Sequence, residues 1–150
     1  MRLNLGAGGR PIPKWHNVDR VQLPGIDEVW DLDQSPWPWF SASVQEIQAR
    51  DVFEHVADAV LFMTECHRIL IPEGALWIRT PNVMLHLHDA FTDPTHKRFP
   101  TWHTFDYWIP GTVYHKEHNA AYGGVSFRVN DIRPDDGSMV VELTKIDSDD

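Results

Sequence analysis

The sequence predicts an α/β fold: a mostly parallel sheet with few helices, closed by an antiparallel hairpin near its C-terminal end. Three observations lead there. Short apolar runs recur through the first half of the chain, and each ends in a glycine turn or a carboxylate. One longer stretch, Asp58 to Leu70, changes to helical spacing just before a further apolar run. Two apolar segments then flank the turn Arg133-Pro134-Asp135-Asp136-Gly137. Such a sheet offers its ligand site at the carboxyl ends of its parallel strands.

Taken in order, Leu3 to Leu5 is a short buried strand that runs into Gly6-Ala7-Gly8-Gly9-Arg10. Glycine there lets backbone N–H groups approach a ligand, because a Cβ would block the approach or forbid a positive φ. By itself the turn fits an ordinary bend as well as a ligand cradle. Pro11 and Pro13 exclude a helix directly after it. Asn17-Val18-Asp19 is the second strand, and Ile26 to Trp30 is the third, ending at Asp31-Leu32-Asp33. The segment Ser35-Pro36-Trp37-Pro38-Trp39-Phe40 is neither helix nor central strand. Its aromatic side chains either pack on the sheet or stack on a ligand.

Ser43 to Val52 reads as the fourth strand entering a loop. On the helix from Asp58 to Leu70, residues Ala59, Phe62, Met63, Cys66, Ile69 and Leu70 share one face, which makes Cys66 a small core residue. Ile71-Pro72-Glu73-Gly74 stops that helix, and Ala75 to Thr80 is the fifth strand. Residues 83–124 are rich in His, Asp, Pro and aromatics, with one helix expected over Thr101 to Trp108. Val125 to Val129 and Met139 to Ile146 form the hairpin, and Asp147 to Asp150 reads as a frayed acidic tail. No repeat or linker interrupts the chain, so residues 1–150 are expected to form one domain.

Composition narrows the function. Thirteen Lys and Arg against 22 Asp and Glu give a net charge of −9, which argues against general nucleic-acid binding. The single cysteine excludes an internal disulfide and an all-cysteine metal site. No apolar run approaches the ~20 residues of a membrane span. The N-terminus lacks the apolar core of a signal peptide, so a soluble cytoplasmic protein is expected. Asn4 with Gly6 and Gly8, then Asp19, Asp31 and Asp51, fall at the ends of successive strands, and together they make a ligand constellation.

These residues carry a resemblance to the class I S-adenosylmethionine-dependent methyltransferases, in particular small bacterial and phage members. The matching pieces are Leu3-Asn4-Leu5-Gly6-Ala7-Gly8, Trp15-His16-Asn17-Val18-Asp19, Asp31-Leu32, Glu54-His55-Val56, Glu65-Cys66-His67-Arg68-Ile69-Leu70, Pro72-Glu73-Gly74 and Pro81-Asn82. The ordered set over residues 2–82 is specific, although no single piece is. The resemblance implies a Rossmann-like sheet and S-adenosylmethionine as cofactor. It places Asn4, Gly6, Ala7, Gly8, Asp19, Arg20, Asp31, Leu32 and Asp51 on the cofactor side. Asp19 would take the ribose hydroxyls, Asp31 the adenine amino group and the Leu32 N–H an adenine ring nitrogen. Residues 83–124 would form a substrate-side insertion.

Several positions depart from the family pattern. Arg10 stands for a third glycine, Glu73 for the first glycine of a Pro-Gly-Gly turn, and Gln45 where an aspartate is common. The helix after the first strand is reduced to a proline-containing loop. The chain begins at the first strand, without the N-terminal helices that often lid the cofactor. The expectation is therefore an open site, closed by residues 83–124, by another subunit or in a homo-oligomer. A nicotinamide dinucleotide is a poor alternative, because Pro11 takes the third fingerprint glycine and no helix follows to receive a pyrophosphate.

Methyl transfer is an in-line displacement whose main requirement is orientation. His55 is the candidate base for a hydroxyl or amine acceptor, a small molecule or glycan; alternatively Glu54 and His55 cap the following helix. His86, His88, Asp89, His96 and His103 suggest zinc, but their spacing matches no known ligand set, and no metal is expected. Lys97 and Arg98 would meet an acidic or phosphorylated acceptor. The alternative functions are a non-catalytic cofactor-binding or assembly domain and a His-rich metal-binding protein.

Overall fold

A computed structural model describes residues 1–147 of the chain, so the last three residues of the expected acidic tail lie outside the described part. Seven strands form one sheet: β1 (Arg2–Leu5), β2 (His16–Asp19), β3 (Glu28–Val29), β4 (Val44–Arg50), β5 (Leu70–Pro81), β6 (Ser126–Asp135) and β7 (Ser138–Ile146). Their order across the sheet is β3-β2-β1-β4-β5-β7-β6. β1 to β5 are parallel, and β7 and β6 join antiparallel, as the sequence predicts.

β1 lies between β2 and β4, so the chain runs outward to β3 and then returns to the other side of β1. That reversal leaves a crevice at the carboxyl ends, between the turns that follow β1 and β4. Leu3, Asn4 and Leu5 are all buried, the pattern of a parallel strand covered on both faces.

One long helix, α1 (Ala59–Ile69), joins β4 to β5. Asp58 caps it by accepting the N–H groups of Val60 and Leu61 at 2.8 and 3.0 Å. Its buried face is Phe62, Met63, Cys66 and Ile69, as the spacing predicts, with Glu65 added. Burial pushes the Cys66 thiol well above its ordinary range, which suits an inert core position.

Several boundaries differ from expectation. β3 keeps only Glu28–Val29 of the expected Ile26 to Trp30. Just ahead of it, the Asp27 carboxylate turns in to accept the Asn17 N–H at 2.8 Å. β5 starts at Leu70, directly after α1, because the Pro72-Glu73-Gly74 turn becomes an irregularity inside the strand, with Glu73 at a φ of 60°. The hairpin is longer than expected and turns on Asp136-Gly137 alone, both with positive φ. Pro134 is tolerated because β6 is an edge strand, most of whose exposed residues are charged or polar.

Residues 83–124 contain more helix than expected: α2 (Leu87–Thr92), a 3-10 helix at Thr104–Trp108, α3 (Val113–His118) and a second 3-10 helix at Asn119–Tyr122. All are short. Phe105 anchors the segment, fully buried with its ring centroid 4.9 Å from that of Phe53.

The Trp-Pro-Trp segment resolves its alternatives toward packing. Trp37 and Trp39 are buried, whereas Phe40 is exposed. Trp37 meets Phe62 edge-on at 5.6 Å between centroids. The Glu65–Arg68 pair of α1 clamps the loop: Glu65 accepts the Trp37 N–H at 2.6 Å, and Arg68 donates to the carbonyls of Trp37 and Trp39 at 3.1 and 2.9 Å. No described helix is long and apolar enough to cross a membrane.

Candidate functional site

A cavity of about 520 Å³ opens at the crevice, within the usual range for small-molecule sites. The loops after β1, β2, β3 and β4 contribute Gly6, Asp19, Arg20, Asp31, Leu32, Asp51 and His55, all predicted from sequence. Trp30, Asp33, Val52, Val56, Pro94, Thr95 and Lys97 complete the wall. Gly6 is required at its position: φ is +62°, and an added Cβ would lie 2.3 Å from a Val52 methyl.

Asp19 is tied to the glycine turn. The Gly8 N–H donates to one carboxylate oxygen at 2.8 Å, and the Val21 N–H to the other at 3.0 Å. A carboxylate has about four acceptor sites, so the remaining two are open to ligand hydroxyls. Asp31 accepts the Asp33 N–H at 3.0 Å. Trp30 has a buried indole N–H, the one buried side-chain polar atom without a partner among the described residues.

Three predicted residues sit behind this wall. Asn4 is buried, and its side-chain amide donates to Asn17 Oδ1 at 2.9 Å and the Arg10 carbonyl at 3.2 Å, which fastens the glycine turn to β2. Asn4 and Ala7 line a separate cavity of about 230 Å³. Gly8 contributes its N–H to Asp19. Asp51 holds a left-handed φ of 56° and binds Arg79 at 2.5 Å and Arg10 at 3.2 Å, thereby linking the β1 turn to β5.

His55 is half-buried. Its Nδ1 lies 3.0 Å from the Thr95 hydroxyl oxygen, and that hydroxyl donates to Asp93 at 2.6 Å. The hydroxyl proton is thus spent on Asp93, so the imidazole donates from Nδ1 and keeps Nε2 as an acceptor. Burial, and then the neighbouring His96, hold its pKa below the ordinary value, so the ring is neutral at neutral pH.

Glu54 does not cap the helix; Asp58 does. The Glu54 side chain turns inward, 1% exposed, where it accepts the Thr80 hydroxyl at 2.9 Å. Burial pushes its carboxyl up to about 7. Nothing in the linear spacing marks this burial, although its place between the apolar residues Phe53 and Val56 is a partial signal.

Residues 83–124 meet the sheet differently than expected. The Arg98 guanidinium donates to the carbonyls of Phe53 and Ala57 at 2.5 and 3.1 Å, so it anchors the segment and is not a free acceptor-binding cation. Lys97 is paired with Asp33 at 3.2 Å on the cavity wall. His86, His88 and His103 remain on the surface, whereas the His96 ring packs against His55 with centroids 4.8 Å apart.

No protein-family model and no curated protein matches the sequence. Solved structures do match its fold. A S-adenosylmethionine-dependent methyltransferase of Thermotoga maritima is similar at a TM-score of 0.69 and 16% identity, over 96% of this chain and 81% of that one. The 1,6-didemethyltoxoflavin-N1-methyltransferase of Burkholderia thailandensis, with bound S-adenosylhomocysteine, is similar at 0.60 and 15%, over 97% and 71%. A chain from the complex of the Haloferax volcanii Trm112 methyltransferase activator with a candidate methyltransferase is similar at 0.65 and 13%, over 97% and 82%. The chain therefore has the class I methyltransferase fold: a Rossmann-like sheet, mostly parallel, with an antiparallel C-terminal pair.

Proposed function

We propose that this chain binds S-adenosylmethionine in the larger cavity and transfers its methyl group to an oxygen or nitrogen acceptor. The observation that carries the reading is that the glycine turn, Asp19 and Asp31-Leu32 share one wall at the point where the strand order reverses. The chemistry of that wall fits the cofactor: carboxylate acceptors for a ribose diol and an adenine amine, and a buried indole N–H with no partner. When bound, the cofactor supplies an electrophilic sulfonium methyl that an acceptor displaces in line.

The chain supplies orientation and a proton acceptor. Asp19 is held rigid by the Gly8 and Val21 N–H groups, so it meets a ligand without reorganising. His55, neutral and with Nε2 unprotonated, takes the proton that the acceptor hydroxyl or amine loses. Residues 83–124, which bring Pro94, Thr95 and Lys97 to the cavity, form the acceptor side. A small molecule or glycan suits that opening. The similarity to a chain complexed with Trm112 supports a second reading, in which a partner subunit completes the site.

Calorimetric titration with S-adenosylmethionine and S-adenosylhomocysteine tests the proposal. Asp19→Asn is expected to weaken binding by about 1.5–3 kcal/mol, roughly 10- to 150-fold, while retaining the wild-type melting temperature within a few degrees. Absence of binding by either ligand would sink the reading. Binding without methylation of any acceptor by the chain alone would favour the partner-completed form.

A further inference from the structure

Glu54, His55 and His96 come together although His96 is 41 residues from His55 in the chain. One ligand atom from each lies within 4.8 Å of the other two. The surrounding bonds prepare the two rings in the same way. The His96 Nδ1 lies 2.7 Å from the Ala90 carbonyl, to which it donates, and this leaves Nε2 as a lone pair. His55 donates from Nδ1 to Thr95, whose hydroxyl is held by Asp93. An imidazole fixed by an outer hydrogen bond at one nitrogen, with the other left as an acceptor, is the form that metal sites use.

No cationic side chain forms a salt bridge with Glu54 among the described residues, although the Arg98 guanidinium lies nearby, on the Phe53 carbonyl. Glu54 is 1% exposed, yet its hydrogen-bond partner is a neutral hydroxyl. The His96 side chain is 7% exposed, and its Nε2 points toward the Asp93 carboxylate at 3.8 Å. Burial of a carboxylate is costly, and a cation seated among these three side chains would offset that cost.

We propose that Glu54, His55 and His96 form a binding site for a divalent first-row transition ion such as zinc or cobalt. Two imidazoles and one carboxylate suit these ions and leave at least one coordination position open. Ligand atoms around tetrahedral zinc sit about 3.3 Å apart, so the triangle closes by roughly 1.5 Å when an ion is seated. Because His96 belongs to the 83–124 segment and the other two follow β4, the ion would tie that segment to the cavity wall. With an ion seated, His55 Nε2 is a ligand and not a base, and activation of an acceptor falls to the metal as a Lewis acid. The site shares His55 with the proposed transfer step but none of the Asp19 and Asp31 wall, so titration with metal alone and titration with the cofactor report on the two readings separately.

The test uses the full chain, stripped of metal, titrated with zinc chloride or cobalt chloride alone by calorimetry and thermal unfolding. One ion per chain and a rise in melting temperature are expected. His96→Ala and Glu54→Gln should each weaken binding at least tenfold, a loss that removal of even an outer-sphere partner brings. Glu54→Gln keeps the Thr80 contact and removes a buried charge, so the metal-free variant should fold and unfold at or above the wild-type temperature. This keeps the test decisive if His96→Ala misfolds. The double change His86→Ala with His88→Ala should leave affinity unchanged. No binding of either ion overturns the site, as does affinity that survives Glu54→Gln or disappears with the His86 and His88 pair.

Discussion

The loops at the carboxyl ends of β1 to β4 and the segment 83–124 face one cavity but are held in opposite ways. The loops after β1 and β2 are held largely by their own backbone, whereas Asp51 after β4 is tied to Arg79 and Arg10. Asp19 takes the N–H groups of Gly8 and Val21, Asp31 takes that of Asp33, and Asn17 fastens Ile12 and Trp15. Every one of these bonds spans a dozen residues or fewer. The 83–124 segment is instead hung on distant points: Phe105 against Phe53, Arg98 on the Phe53 and Ala57 carbonyls, and the Lys97 N–H on the Glu54 carbonyl at 2.8 Å. A self-supported loop keeps its geometry when its neighbours change. A draped one depends on a few anchors and shifts when any of them is lost.

The largest test of this contrast removes the central anchor. Phe105→Ala vacates a fully buried ring and should cost about 3–5 kcal/mol in urea unfolding. In hydrogen exchange the loss of protection should concentrate in residues 83–124; an equal loss at Asn4 and Val18 would break the comparison.

Arg98→Ala is the intermediate case. It removes two charge-assisted bonds and a guanidinium 5.3 Å from the centre of the Phe53 ring, worth about 1.5–3 kcal/mol together. Wild-type stability in this variant would mean that the segment is held elsewhere.

The smallest effect comes from Glu65, one of the long-range supports on the strand-end side. Through Trp37, whose indole donates to the Leu32 carbonyl at 3.1 Å, Glu65 and Arg68 support the cavity wall from α1. The Arg68 guanidinium holds the Glu65 carboxyl below its ordinary 4.5. A depressed folded-state value means that the unfolded chain binds the proton more readily. The stabilisation is therefore complete above the unfolded value and is lost as pH falls through the folded one. The melting temperature of wild type should fall more steeply below pH 4.5 than that of Glu65→Gln; parallel curves would remove Glu65 from the support.

Legibility followed the range of the interactions. The strand pattern, the Gly6 turn, the carboxylates at 19 and 31, and the buried face of α1 could all be read, because each follows from a local period or a φ demand. The ends of β3 and β5 were misplaced. The Asp27 carboxylate reaching the Asn17 N–H on the neighbouring strand decided the first, and the second depended on whether a Pro-Glu-Gly turn could be absorbed inside a strand. In the histidine-rich segment the sequence displays His86, His88, His96 and His103, but not that the His96 ring packs against His55, 41 positions away.

The sequence alone determined the class of sheet, the end of it that receives a ligand and half of the residues on the cavity wall. Periodicity and strand order follow from short-range sterics and from the burial of apolar faces. Only the tertiary structure decided that Glu54 is buried, that Asn4 braces the turn from behind, that Arg98 is an anchor and that His55 meets His96. Those outcomes depend on which distant surfaces come together, and burial assigns a carboxylate or an imidazole its role only after that has happened.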